Sequence, residues 1–101
     1  MGTREDLNAL LCEILGSEYV YYQPPESLQI QYPCIIYSMD EHYVRHADNA
    51  TYNRRKVYEV LYISLEPDED VVDRLADLQY CSMGKAYTAD NLYHYPYTLY
   101  Y

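Results

Sequence analysis

The sequence predicts an α+β fold: a mainly antiparallel sheet with a long central hairpin and two helices packed on one face. Three observations lead to it. Residues 3–15 and 67–79 carry apolar side chains at the i, i+3, i+4, i+7 spacing of one buried helix face. Residues 33–46, 54–65 and 95–101 instead alternate at period two, the mark of a half-buried strand. The order helix, strands, helix, strands then places both helices against one face of the sheet. At 101 residues, the whole of 1–101 reads as a single domain with a modest core.

The first helix buries Leu7, Leu10, Leu11 and Ile14. Thr3 stands where an N-cap belongs, Glu5 and Asp6 complement the positive end of the helix dipole, and Gly16 suits the left-handed residue that ends a helix. Residues 18–22 form a short aromatic strand, which Pro24-Pro25 breaks because proline cannot donate to a ladder. The next strand starts at Tyr32-Pro33. It sends Ile35, Tyr37 and Met39 one way and Cys34, Ile36 and Ser38 the other, and can run on through His42–Arg45. Asp48-Asn49-Ala50 is a turn signal, so the hairpin tip falls at 48–53. In residues 54–65, Tyr58, Val60 and Tyr62 share one face. Val57, Glu59, Leu61 and Ile63 share the other, which Glu59 marks as the less buried. Pro67 suits the first turn of the second helix, with Asp68, Glu69 and Asp70 at its positive end and Val71, Val72, Leu75 and Leu78 inward.

Residues 80–85 make a short strand, with Cys81 and Met83 on one side and Gly84 as a kink. Residues 88–94 read as a loop, with Asp90 and Asn91 hydrogen-bonding nearby backbone through their side chains. This loop feeds the closing strand, in which Tyr95, Tyr97, Leu99 and Tyr101 alternate. The expected core is Leu7, Leu11, Ile14, Ile35, Tyr37, Tyr58, Val60, Tyr62, Val72, Leu75, Tyr97 and Leu99.

Half of the residues are hydrophobic, yet the mean hydropathy is −0.47. The cause is sixteen tyrosines with no phenylalanine or tryptophan. A buried Tyr supplies ring area but needs a partner for its hydroxyl, so several rings are expected at the surface or in an interface. The net charge of −9 argues against nucleic acid as the main ligand, since phosphate binding needs basic side chains. No run approaches the roughly 18 apolar residues of a membrane span. Residues 1–6 lead straight into an amphipathic segment, so no secretory leader is expected. Cys12, Cys34 and Cys81, an odd number in apolar surroundings, suggest reduced core thiols of a cytoplasmic product rather than disulfides.

No motif assembles catalytic chemistry. His42 and His46, four apart on a strand, share a face and could form a weak metal pair, but no C-x2-C accompanies them or His94. Asp68-x-Asp70 echoes the start of a calcium loop without its glycine or distal Glu. A Cys/His nucleophile would need an exposed thiol, and three glycines are too few for a phosphate loop. The sequence therefore implies no enzyme, cofactor or metal site.

Charge is unevenly laid out. Residues 42–56 hold Arg45, Arg54, Arg55 and Lys56 against Asp48, for a charge of +3, while the remainder carries −12. One reading is a solvated basic hairpin. The other is a basic surface that meets an acidic one on a neighbour: Glu66, Asp68, Glu69, Asp70 and Asp73, at the start of the second helix.

Several stretches, in order, resemble the small tail-terminator (tail-completion) proteins of long-tailed bacteriophages. They are Gln23-Pro24-Pro25-Glu26, Tyr32-Pro33-Cys34-Ile35-Ile36-Tyr37, Arg45-His46-Ala47-Asp48-Asn49, and Ala89-Asp90-Asn91-Leu92-x-His94 followed by aromatic-x-Leu-Tyr-aromatic. The likeness covers most of the chain, and its tyrosine excess departs from the family. The resemblance implies a ring-forming virion structural protein, a hexamer by family expectation, at the head-proximal end of the tail tube. It would terminate tube growth and touch tube and neck proteins, with DNA passing through the ring unbound. It would be assembled in the bacterial host cytoplasm, with no enzyme activity. A head–tail connector or stopper of the neck is the neighbouring alternative. Two readings of other classes are an acidic binding module that occludes a partner and a small hydrolase.

Overall fold

The computed structural model of the protein describes residues 3–39 and 56–101. Helix α1, Arg4–Leu15, begins on a full capping box: Thr3 Oγ1 accepts from the Asp6 amide at 3.1 Å, and Asp6 Oδ2 accepts from the Thr3 amide at 3.3 Å. It ends on Gly16, whose φ of 80° lets its amide donate back to Cys12 O at 2.8 Å. Leu7, Leu11 and Ile14 are buried along one stripe.

Helix α2, Glu69–Ala76, is shorter than the expected 67–79. Asp68 takes the N-cap and accepts from the Val71 amide at 3.3 Å, which leaves Pro67 outside the helix. That phase turns Val71 and Leu75 inward and leaves Val72, expected in the core, only half-buried.

Six strands form one mixed sheet: β1 (Val20–Tyr22), β2 (Cys34–Met39), β3 (Val57–Ser64), β4 (Cys81–Met83), β5 (Tyr87–Ala89) and β6 (Leu92–Tyr100). The spatial order is β1-β2-β3-β6-β4, and β5 also pairs with β6. The sheet is not wholly antiparallel, because β1 runs parallel to β2, Val20 opposite Ile35. Residues 23–33 give the length that such a parallel connection needs. Of the expected central hairpin, β2 and β3 pair antiparallel from Cys34↔Ile63 to Met39↔Tyr58. Its extension over 40–46, its tip at 48–53 and the arm at 54–55 lie outside the described residues.

The expected loop at 88–94 is corrected. Tyr87–Ala89 and the start of β6 form a tight hairpin, with Ala89 opposite Leu92 and only Asp90-Asn91 between them. Both turn residues have positive φ, 53° and 62°. This is the type I′ geometry whose twist matches the flanking strands. The turn is held by the ladder and the backbone conformation at Asp90 and Asn91, in place of the expected side-chain bonds.

The core lies between the two helices and the face of the sheet that bears Val20, Ile35, Tyr37, Tyr58, Val60, Tyr62, Tyr97 and Leu99. On the other face Glu59 is exposed as expected, but Val57, Ile63 and Cys34 are buried. Burial therefore does not divide by face alone.

Candidate interaction surface

Three core tyrosines tie the sheet to the helices through their hydroxyls. Tyr37 donates to Asn8 Oδ1 of α1 at 2.9 Å, Tyr62 to Asp68 Oδ2 at 2.7 Å, and Tyr97 to the Val72 carbonyl of α2 at 3.1 Å. Each ring thus supplies apolar area, and each hydroxyl finds the partner that burial demands. Tyr58 is the exception: its buried hydroxyl has no hydrogen-bond partner among the described residues. Burial raises the pKa of all four phenols, and for Tyr62 the bond to Asp68 adds to the rise. Arg4 lies 4.6 Å over the Tyr22 ring, which packs on Tyr37 at 5.0 Å.

This bonding changes the reading of the acidic candidates. Asp68 is half-buried, caps α2 and receives the Tyr62 hydroxyl, so it is a structural carboxylate rather than a docking group. Glu66, Glu69, Asp70 and Asp73 are exposed. Lys56 is exposed beside β3, and its backbone exchanges hydrogen bonds with Tyr101 at 3.2 and 2.9 Å. Arg45, Arg54 and Arg55, with His42 and His46, lie outside the described residues.

Burial disfavours the thiolate at all three cysteines. Cys34 is fully buried and its pKa is pushed up to about 12 by that burial. Burial also raises Cys12 and Cys81. All three are unpaired with one another. His94 Nδ1 lies 3.0 Å from the Leu92 carbonyl, so a proton there makes the bond, and the ring stacks on Tyr87 at 4.8 Å. Among the described residues no group of three His, Cys, Asp or Glu is placed to hold a metal. No helix among them is long and apolar enough to cross a membrane.

The surface that stands out is the sheet face opposite the helices. Cross-strand register stacks its side chains in rows. One row is apolar: Ile36 opposite Leu61, Leu61 opposite Pro96, with Gly84 donating to Pro96 O at 2.8 Å. The next is polar: Ser38, Glu59, Thr98 and Ser82. Beside the apolar row stand His94 and Tyr87. A groove of about 370 Å³ follows these rows, and Glu59 is the charged residue in its lining.

At the margin of this face, β4 and β5 lie end to end along the same side of β6. Pro96 explains the break between them. Its carbonyl faces β4, so its nitrogen does too, and that nitrogen has no hydrogen to give. Three of the large hydrophobic side chains left exposed sit here: Tyr80, Met83 and Tyr87, at 53%, 44% and 50%. The sequence reading placed β4 within residues 80–85 but missed β5, which is only three residues long. The signals that could have revealed it are Pro96 inside a strand pattern and the Asp90-Asn91 pair as a two-residue turn.

Comparison of the chain with protein-family models, with curated proteins and with solved structures finds no match.

Proposed function

We propose that this protein is a structural subunit of a bacteriophage virion. It forms a ring at the head-proximal end of the tail tube, ends tube growth and joins the tail to the neck. The observation that carries an assembly role is the sheet margin along β4 and β5, which exposes Tyr80, Met83 and Tyr87 close to the groove on the face opposite α1 and α2. Exposed aromatic and apolar side chains gathered in one place mark interaction surfaces. The hydroxyls of Tyr37, Tyr62 and Tyr97, by contrast, are taken up in internal hydrogen bonds, and Cys34 is packed in the core. The specific place in the virion comes from the ordered resemblance to tail terminators, which ends in the Asp90-Asn91 turn and the strand that follows it. A neck connector or stopper is the second reading, supported by the same surface, since both roles need a small ring-forming subunit.

The partners on this reading are further copies of the chain, the tail tube protein and the neck proteins, and DNA passes through without specific binding. A reconstruction of intact particles tests it. The expected result is a closed ring of this chain, six copies by family expectation, on the last tube ring. A single asymmetric copy per particle, or a ring elsewhere in the virion, refutes the terminator role.

A further inference from the structure

The two margins of the sheet are complementary to each other. Along β4, the Tyr100 amide donates to Tyr80 O at 3.0 Å and the Gly84 amide to Pro96 O at 2.8 Å. An antiparallel ladder alternates, so Tyr80, Ser82 and Gly84 turn their backbone groups toward β6, and Cys81 and Met83 turn theirs outward. Along β1, the Ile35 amide donates to Tyr19 O and the Gln23 amide to Tyr37 O, each at 3.0 Å. Val20 and Tyr22 therefore face outward on that margin. Among the described residues no strand pairs with either outer side.

Direction and face also agree. Passing from β1 through β2, β3 and β6 to β4, the strand direction reverses three times, so β4 runs opposite to β1. A rotation about an axis roughly along the strands preserves direction, and would bring β4 of one copy antiparallel to β1 of the next. The outward residues lie on the same side of the sheet. Cys81 and Met83 stand opposite Leu99 and Tyr97, Val20 and Tyr22 opposite Ile35 and Tyr37, all on the helix side.

We infer that successive copies join head to tail through these margins, β4 of one copy against β1 of the next, in a sheet that runs on around the assembly. Met83 pairs with Val20 of the neighbouring copy and Cys81 with Tyr22. The Val20 amide, drawn to Glu18 O at 2.8 Å in the isolated subunit, turns to Met83 O. This register sets the exposed Lys85 opposite the exposed Glu18, a charge match that fixes it. Joining unlike margins covers both the β4 and the β1 edges once the rotation closes, whereas a two-fold pairing of β4 with β4 would leave both β1 margins uncovered. The inference rests on the ring reading above for closure, but the seam can be tested by itself.

Ser82 and Tyr21 fall opposite each other at a non-hydrogen-bonded position, where Cα atoms stand about 4.5 Å apart and a disulfide can form. Full-length protein carrying Ser82→Cys and Tyr21→Cys, oxidised at high concentration, should give a ladder of covalent multimers on a non-reducing gel. Ser82→Cys alone and wild type should give monomer. Met83→Pro, which removes an outward amide and no internal bond, should keep the wild-type melting midpoint and lose assembly measured by native mass spectrometry. Dimers from Ser82→Cys alone would show the two-fold pairing and overturn the seam. A ring that forms with Met83→Pro and yields no cross-link in the double variant overturns the seam and leaves the ring reading standing. A ladder with no closed species supports the seam and sinks the ring. Monomers throughout overturn both.

Discussion

At the scale of the residue, the tyrosine excess has a mechanical meaning. Tyr37, Tyr62 and Tyr97 bury their rings in the sheet's inner face and use their hydroxyls to hold α1 and α2. Phenylalanine would pack but lose each of these bonds to the helices. Tyr62→Phe strands the Asp68 oxygen and should cost about 1–3 kcal/mol by chemical denaturation, the usual range for a buried bond to a charged group. Tyr58→Phe removes a hydroxyl with no partner among the described residues, so it should be neutral or stabilising. Equal losses from the two substitutions would refute this division. The same burial sets the response to base. Folding raises these phenols above their ordinary 10.0, and Cys34 from 9.0 to about 12. A group whose folded pKa is raised contributes stability in full below its unfolded pKa and loses it as pH rises toward the folded value. The denaturation midpoint should therefore fall as pH passes upward through 9 and 10, and the phenolate absorbance of these four buried rings should appear together with unfolding. Full phenolate titration in the still-folded protein would show that the rings are open to solvent.

At the scale of the element, the hairpin of β5 and β6 depends on two residues in the left-handed region. Asn91 tolerates φ of 62°, and a β-branched residue does not. Asn91→Val should lower stability by about 1 kcal/mol or more, while Asn91→Gly should keep or raise it, since Asp-Gly is a preferred type I′ pair. An unchanged melting midpoint for Asn91→Val would show that the turn does not hold β6. Helix α2 depends on Asp68 in a comparable way. One carboxylate caps the helix through Val71 and anchors it to β3 through Tyr62. That double use explains why a residue read from the sequence as part of a charged patch belongs to the packing.

At the scale of the whole molecule, charge is segregated, with +3 in residues 42–56 and −12 elsewhere. If the basic stretch meets an acidic surface of a neighbouring copy or of the tail tube, Arg54→Glu with Arg55→Glu should reduce assembly. The reduction should be larger at low salt, where repulsion is less screened. Compensating changes belong at Glu69 and Asp70, which are exposed, and not at Asp68, whose loss would unseat the helix. Wild-type particle yield from the double arginine variant would show the basic stretch to be solvated only. This contact and the β4–β1 seam are separable, because the seam variants leave the arginines untouched.

Much of the fold was legible because its signals are local. Helix phase, the Thr3 box and Gly16 act within a few residues of one another, and period two showed which side chains of β2, β3 and β6 face the helices. Pairing is another matter, since it joins distant residues and depends on which ladders complete one another. Nothing near Val20 announces a parallel partner at Ile35, and the Asp90-Asn91 pair signals a turn without showing that Tyr87–Ala89 extends as a strand along β6. Only the assembled sheet turned Asp68 inward and set β4 and β5 on one margin around Pro96. The sequence by itself determined the elements and their inner faces, because those follow from spacing along the chain. The tertiary structure decided the neighbours, the margins and the candidate surface, because backbone hydrogen bonds and burial are satisfied across the chain rather than along it.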